Sequence, residues 1–465
     1  MYSQAIANLK AGTRGFYTKV MIRYAGPYRQ RRAWLGETQW YSKEKLQQMQ
    51  LGLLKVIVKH AYETVPYYRE VMDEDGIKPE DIKGLEDIKL FRVIGKQDVR
   101  DAGSRMYSEK FNRLFVRTAR TGATTGPPVA MRRDIFSIGN EHAFVRRQYD
   151  WAGLSINDRC AVLKWRRLKD GDSTKAGRYC YDAAMKELIL STFHLTDKAV
   201  VEYANLMRFY KVAALVAYPS AAYVMARGCL ERGIKLPLKA VLTTAETLDD
   251  GKRELISRAF GCKVFDFYGS AERVCYIHSC ECGNYHILPE YGLAELHPAE
   301  SESGGCHRII ATGFWNMAMP LIRYDTGDLV VVNGGECTCG RNFIKIKKIL
   351  GRDGDMITAP SGATMGVAAI DGILGRIIYG MYDMPVLAGR VVQESEDLVT
   401  LEYVAADGFD QRHMRRLTRH FNEQLKGRMR GKVRRVERIE RTPSGKFISF
   451  VSPRQQQKGA SVVKR

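Results

Sequence analysis

The chain has 465 residues, a net charge of +21 and 45% hydrophobic residues. That length exceeds one ordinary core and implies two or three domains. No apolar run is long enough to cross a membrane as a helix, and the basic, aromatic stretch Met1 to Leu35 lacks the apolar core and cleavage site of a signal peptide, so a cytoplasmic protein is expected.

In chain order, residues 1–110 read as a mainly helical lead-in. Leu46 to Tyr62 carries apolar residues at helical spacing and stops before Val65-Pro66. Asp81 to Phe91 reads as a short connecting segment. Leu114 to Thr118 is an apolar run before a Gly/Thr-rich loop, which predicts a strand. Ile135 to Trp151 reads as a long helix. Ala214 to Tyr218, Ala240 to Thr243 and Cys262 to Phe267 read as strands, each ending in a polar or glycine-containing turn. Their alternation with helices predicts an α/β core with ligand loops at the strand ends. A boundary is expected near Gly351, which divides the chain into a large region, 1–350, and a small one, 351–465. The small region reads as strand Thr400 to Val404, helix Phe409 to Leu425 and strand Val433 to Ile439. Its Arg415 to Arg441 stretch holds the densest positive charge. Interleaved valines and leucines make that stretch an amphipathic helix and strand with solvated faces, able to help attract phosphates. No nucleic-acid motif accompanies it.

Five short motifs carry the chemistry. Thr121-Gly122-Ala123-Thr124-Thr125-Gly126 follows a strand, and its N–H groups and hydroxyls can wrap phosphate oxygens. Tyr268-Gly269-Ser270-Ala271-Glu272 offers an aromatic ring for a purine, a tight glycine and a carboxylate for Mg²⁺. Asp328, in Thr326-Gly327-Asp328, can accept two ribose hydroxyls. Arg352, in Gly351-Arg352-Asp353-Gly354-Asp355, can contact ribose or phosphate. Lys446, in Pro443-Ser444-Gly445-Lys446, sits on a loop that can swing into a distant site. Each of these alone would pass for a solvent-exposed turn.

The ten cysteines are unevenly spread. Cys160, Cys180, Cys229 and Cys262 read as isolated buried thiols. The other six crowd between Cys275 and Cys339. Cys280, His286, Cys337 and Cys339 would complete a tetrahedral zinc site, and four protein ligands point to a structural ion. Cys282 and His278 are alternative ligands, with Cys275 a weaker one.

Taken in this order, the five motifs resemble the adenylate-forming (acyl-CoA synthetase) superfamily. The segment His60-Ala61-Tyr62-Glu63-Thr64-Val65-Pro66-Tyr67-Tyr68-Arg69 is similar to the phenylacetate–CoA ligase branch. Ile322 to Asp328 and the surroundings of Cys280 and Cys337 resemble its subgroup assigned to capsular polysaccharide biosynthesis. The resemblance spans about Leu46 to Ser452. It implies an α/β protein with a large multi-subdomain N-terminal domain and a small, mobile α/β C-terminal domain. It implies ATP-dependent activation of a small carboxylic acid, with Lys446 and Glu272 catalytic and Glu272 on Mg²⁺. Thr121, Gly122, Thr124, Thr125, Gly126, Tyr268, Gly269, Ser270, Asp328 and Arg352 would bind the nucleotide. CoA is the expected acceptor. The alternatives are an adenylating ligase or adenylyltransferase with a non-CoA acceptor, as in exopolysaccharide synthesis, or a non-catalytic nucleotide-binding homologue. A homodimer is compatible with all of these. The chain departs from the family at Ala123, Pro127, Ala271 and Gly354, and Ile357 to Met365 replaces the Arg-Gly pattern that often follows the hinge.

Overall fold

The computed structural model describes residues 2–20, 27–112, 115–120, 129–164, 179–192, 195, 197–299, 305–352, 356–358, 364–366, 370, 373–374, 384–425, 427, 429–439, 447 and 449–451. The fold is mixed α/β, with a large sheet and a separate smaller α/β region.

The lead-in is helical, as expected. Its main helix starts a turn earlier than the apolar pattern, at Lys43–Thr64, because Ser42 Oγ caps it by accepting from the Lys45 N–H at 3.3 Å. It ends where Pro66 begins the helix Pro66–Glu74. Asp81 to Phe91 forms parts of two short 3₁₀ turns.

Two strands, β1 (Val116–Arg120) and β2 (Ala130–Asp134), pair antiparallel on either side of residues 121–128. The large sheet comprises β3 (Cys160–Leu163), β4 (Tyr179–Asp182), β5 (Glu187–Leu190), β6 (Ala214–Ala217), β7 (Ala240–Thr244), β8 (Lys263–Gly269), β9 (Tyr276–Ser279), β10 (Tyr285–Ile287), β11 (Gly292–Pro298), β12 (Cys306–Gly313), β13 (Tyr324–Val332) and β14 (Lys345–Arg352). Its order is β11-β12-β13-β14-β10-β9-β8-β7-β6-β3-β5-β4. Strands β5, β3, β6, β7 and β8 run parallel. They are short apolar runs because both faces are covered. The helices Pro219–Glu231 and Asp250–Phe260 pack on one face, and Ile135–Trp151 on the other. From β8 through β9 to β11 every pairing is antiparallel. The change of direction falls directly after Tyr268.

A hairpin of β15 (Met356–Thr358) and β16 (Thr364–Gly366) follows. The smaller sheet joins β17 (Val386–Gln393), β18 (Leu398–Ala405), β19 (Arg430–Arg435) and β20 (Phe450–Val451) in the order β19-β18-β17-β20. The helix Gln411–Leu425 packs on it through Leu417, Phe421 and Leu425, spaced at four residues. The expected strand Val433 to Ile439 shifts towards the N-terminus, because pairing with β18 sets its register from Arg430 opposite Leu398. Here neighbouring backbone overrides the apolar pattern. Among the described residues no helix is long and apolar enough to cross a membrane.

Candidate active site

Strands β3, β6, β7 and β8 end side by side, so Lys164, Tyr218, Ala245 and Gly269 lie along one edge. In a parallel sheet this edge is the ligand side. Tyr268 reaches from β8 to β13, where its hydroxyl donates to Asp328 Oδ2 at 2.6 Å. Burial holds the Tyr268 phenol well above its ordinary value, and the Asp328 charge adds to the rise, so the hydroxyl stays a neutral donor. Asp328 is itself buried. Its turn is fixed locally: the Gly327 N–H donates to Asp325 Oδ1 at 2.9 Å, and the Asp328 N–H to Thr326 Oγ1 at 3.1 Å. Gly327 takes φ +67° there, which favours glycine. Directly across from Asp328 in the register lies Arg352 on β14. The structure thus brings Tyr268, Asp328 and the Arg352 backbone together from segments far apart in sequence.

Glu272 follows β8 and is 6% exposed. The Arg133 guanidinium donates to the Ala271 carbonyl at 2.7 Å and ties this segment to β2. Burial lowers Arg133 to about 10. Arg273 adopts φ +58°, a costly conformation for a side-chain-bearing residue. Its backbone lies against a pair of facing glycines. A Cβ on Gly292 would sit 2.2 Å from the Val274 carbonyl oxygen, and one on Gly313 would sit 2.6 Å from that of Arg273. Ser270 Oγ is buried with no hydrogen-bond partner among the described residues. An unpaired buried hydroxyl beside Glu272 suits an incoming phosphate oxygen.

Thr121, Gly122, Thr124, Thr125 and Gly126, the hinge residue Gly354 and the catalytic candidate Lys446 lie outside the described residues, as does the Arg352 side chain. The residue after Lys446 is described: the Phe447 N–H donates to Glu246 Oε1 at 2.7 Å, at the end of β7. One residue at this edge escaped the sequence reading. Lys164 places its ammonium 5.2 Å from the centre of the Phe267 ring. Burial lowers it to about 8, against the opposing pull of Glu187 and Asp266. The available signal was a lone lysine directly after the apolar run Cys160–Leu163.

Cys280, His286, Cys337 and Cys339 converge, with all four ligand atoms within 4.8 Å of one another and all four residues buried. Cys280 Sγ lies 3.8 Å from Cys337 Sγ, and Cys339 Sγ lies 3.4 Å from His286 Nε2. Burial lowers His286 to about 4, which leaves the imidazole neutral and able to ligate. Asn284 Nδ2 donates to Cys337 Sγ at 3.2 Å. The alternative ligands fall outside this quartet. Cys282 is exposed, and Cys275 is buried beyond it. His278 packs against Trp151, Phe267 and Tyr276. Arg341, just past the cysteine turn, stacks on Trp151 at 4.0 Å and receives Trp40 at 4.9 Å, so the lead-in closes over the cluster.

No protein-family model matches the chain. The chain is 27% identical to a phenylacetate–coenzyme A ligase of Thermus thermophilus over 332 residues, 69% of this chain and 73% of that one. It is 28% identical to the phenylacetate–coenzyme A ligase of Escherichia coli over 331 residues, 68% of this chain and 73% of that one. The chain is thus similar to phenylacetate–coenzyme A ligases. It is also 24% identical to protein CapK of Staphylococcus aureus over 294 residues, covering 63% of this chain and 64% of CapK. Among solved structures it is similar to 2-hydroxyisobutyryl-CoA ligase in the postadenylation state with an acyl-AMP bound. The TM-score is 0.70 at 19% identity, covering 92% of this chain and 94% of that one. The same enzyme in its thioesterification state, with CoA bound, gives a TM-score of 0.54. The fold is that of the adenylate-forming CoA ligases.

Proposed function

We propose that this phenylacetate–coenzyme A ligase relative is an AMP-forming acid–thiol ligase. A substrate carboxylate oxygen attacks the α-phosphorus of ATP, the bond to the β-phosphate breaks, and pyrophosphate leaves. The thiol of CoA then attacks the acyl carbon, AMP departs, and the thiol proton passes to solvent. The observation that carries this function is the Tyr268–Asp328 hydrogen bond at 2.6 Å, set beside buried Glu272 and the unpaired Ser270 hydroxyl at the ligand edge. Asp328 would accept ribose hydroxyls, as a carboxylate with two acceptor oxygens can. Ser270 would donate to a phosphate oxygen in place of the family threonine, where this chain has Ala271. Mg²⁺ held by Glu272 would offset charge on the departing pyrophosphate. Lys446 would place its ammonium against the charge that develops between carboxylate and α-phosphate. Thr121 to Gly126 would cradle the phosphates, with Arg352 on the ribose.

Residues 351–465 would form the moving domain. That domain would turn between the two half-reactions. The Cys280, His286, Cys337 and Cys339 set would hold structural Zn²⁺, pinning the β9–β10 turn to the turn between β13 and β14. Use of ATP and CoA suits a cytoplasmic site of action.

The similarity to CapK favours a second reading, in which the acyl or adenylyl group goes to a non-CoA acceptor in polysaccharide synthesis. ATP–pyrophosphate exchange across a panel of carboxylic acids tests the first step, with Lys446→Ala as control. The expected result is exchange with a particular acid, lost in the variant. Exchange that survives Lys446→Ala would remove Lys446 from the mechanism. AMP release that does not depend on CoA would favour the second reading. ATP binding without exchange for any acid would make the protein a non-catalytic homologue.

A further inference from the structure

Glu246 joins three separate parts of the chain. It follows Ala245, which is held at φ +71° at the end of β7. Its Oε2 accepts from the Ser220 N–H at 3.0 Å, and its Oε1 accepts from the Phe447 N–H at 2.7 Å. Ser220 is the second residue of the helix Pro219–Glu231. The carboxylate therefore lies at the positive end of that helix, a favourable place for a carboxylate. An ionised acceptor also makes the stronger class of backbone hydrogen bond. Further along the same helix, Arg227 Nη1 donates to the Val386 carbonyl at 2.7 Å. Val386 opens β17 of the smaller sheet and is fully buried, in one cluster with Tyr223 and Met225 of the helix. The helix thus holds the smaller region directly through Arg227, and at its start through Glu246, which takes the amide next to Lys446.

We propose that Glu246 is the positioning residue for Lys446, a role that rests on the adenylating function proposed above. Its carboxylate, fixed by the helix start, takes the Phe447 amide and so sets the lysine loop for attack of the acid on ATP. The same hydrogen bond has to open before the smaller region can turn for thiol transfer. Glu246 therefore assists the first half-reaction and opposes exit from it. A residue that merely supported the fold would affect both halves alike.

Two measurements on the full chain test this, with Glu246→Ala and Glu246→Gln. The glutamine keeps the size but points an NH₂ group at one of the two N–H donors. Hydrogen exchange at the Phe447 amide should quicken by about tenfold or more in both variants, the loss of one charge-assisted hydrogen bond. Acid-dependent ATP–pyrophosphate exchange is then followed, beginning with phenylacetate and extending through the acid panel. Its kcat should fall about tenfold, with KM for ATP within about twofold. Thioester formation from the ready-made adenylate of the same acid should stay level or rise. Equal losses in the two half-reactions, or an unchanged Phe447 amide, would overturn the proposal. Absence of exchange with every acid in the unmodified protein would sink the adenylating function and the role of Glu246 in it. The amide measurement would still report whether the contact exists, so the two failures are distinguishable.

Discussion

Replacing Tyr268 by Phe removes one hydroxyl and little else. The lost hydrogen bond is short, 2.6 Å, and its acceptor is a buried carboxylate. Hydrogen bonds to charged groups contribute about 1.5–3 kcal/mol net. At about 1.4 kcal/mol per factor of ten, full transmission to nucleotide binding would raise KM for ATP by roughly ten- to a hundredfold. The lower figure is expected, because the Asp328 backbone stays fixed by Thr326 and Gly327. The assay is ATP–pyrophosphate exchange with ATP varied, alongside the same measurement with 2′-deoxy-ATP. The Phe variant should show KM for ATP raised about tenfold and kcat changed little, the pattern of lost uniform binding. It should also discriminate less between ATP and 2′-deoxy-ATP, because Asp328 is no longer held towards the ribose. A folded variant with unchanged KM and unchanged discrimination would show that the Tyr268–Asp328 pair has no part in nucleotide binding.

Zinc-supplemented protein should carry about one zinc ion per chain by elemental analysis, and Cys337→Ser should lose most of it; metal-free protein after supplementation would refute the site. Arg147→Met should destabilise the fold by about 3–5 kcal/mol in urea unfolding, because it strands Glu290 as a buried charge. Arg147 donates to Glu290 Oε1 at 2.7 Å, and Glu290 is 0% exposed. Adding Glu290→Gln should recover part of the loss, and a change below about 1 kcal/mol would refute the pairing. Asp266 is raised by burial from 3.8 to about 6. Its folded value lies above its unfolded one, so its contribution is fully present below pH 3.8 and is lost as pH rises through about 6. The full swing is on the order of 3 kcal/mol. Asp266→Asn should flatten the fall in urea midpoint between pH 4 and 7, and an unchanged slope would count against it.

Three of the five parallel strands, β6, β7 and β8, were legible because they are continuous apolar runs that end where the sequence turns polar, whereas the four-residue strands β3 and β5 were not picked out. Tyr268, Glu272 and Asp328 could be picked out because each stands in a short segment whose residue types suit nucleotide chemistry. Their meeting could not be read locally, since it depends on β8 and β13 coming together across the sheet. Cys-x-Cys at 337–339 announced a metal turn, yet the choice of His286 over His278 rests on packing. His278 and His286 face each other in the β9–β10 register, and only one turns its ring to the thiols. Lys164 was missed because nothing in a single lysine after Leu163 distinguishes a half-buried cation beside a ring from a solvated one. The start of β19 at Arg430 likewise answers to its neighbour β18 rather than to its own sequence.

Gly292 and Gly313 allow the backbone from Arg273 to Val274 to lie flat on β11 and β12, at a distance that admits no side chain between. Glu272 heads that stretch. The carboxylate is therefore mounted on something closer to masonry than to a loop, and its conformational freedom is given up when the protein folds rather than when a nucleotide arrives. Phe447, by contrast, meets Glu246 through a backbone hydrogen bond that can be released. The site thus divides into an anvil and a hammer. Side chains are accordingly barred at Gly292 and Gly313, where the wall leaves no room even for a methyl group.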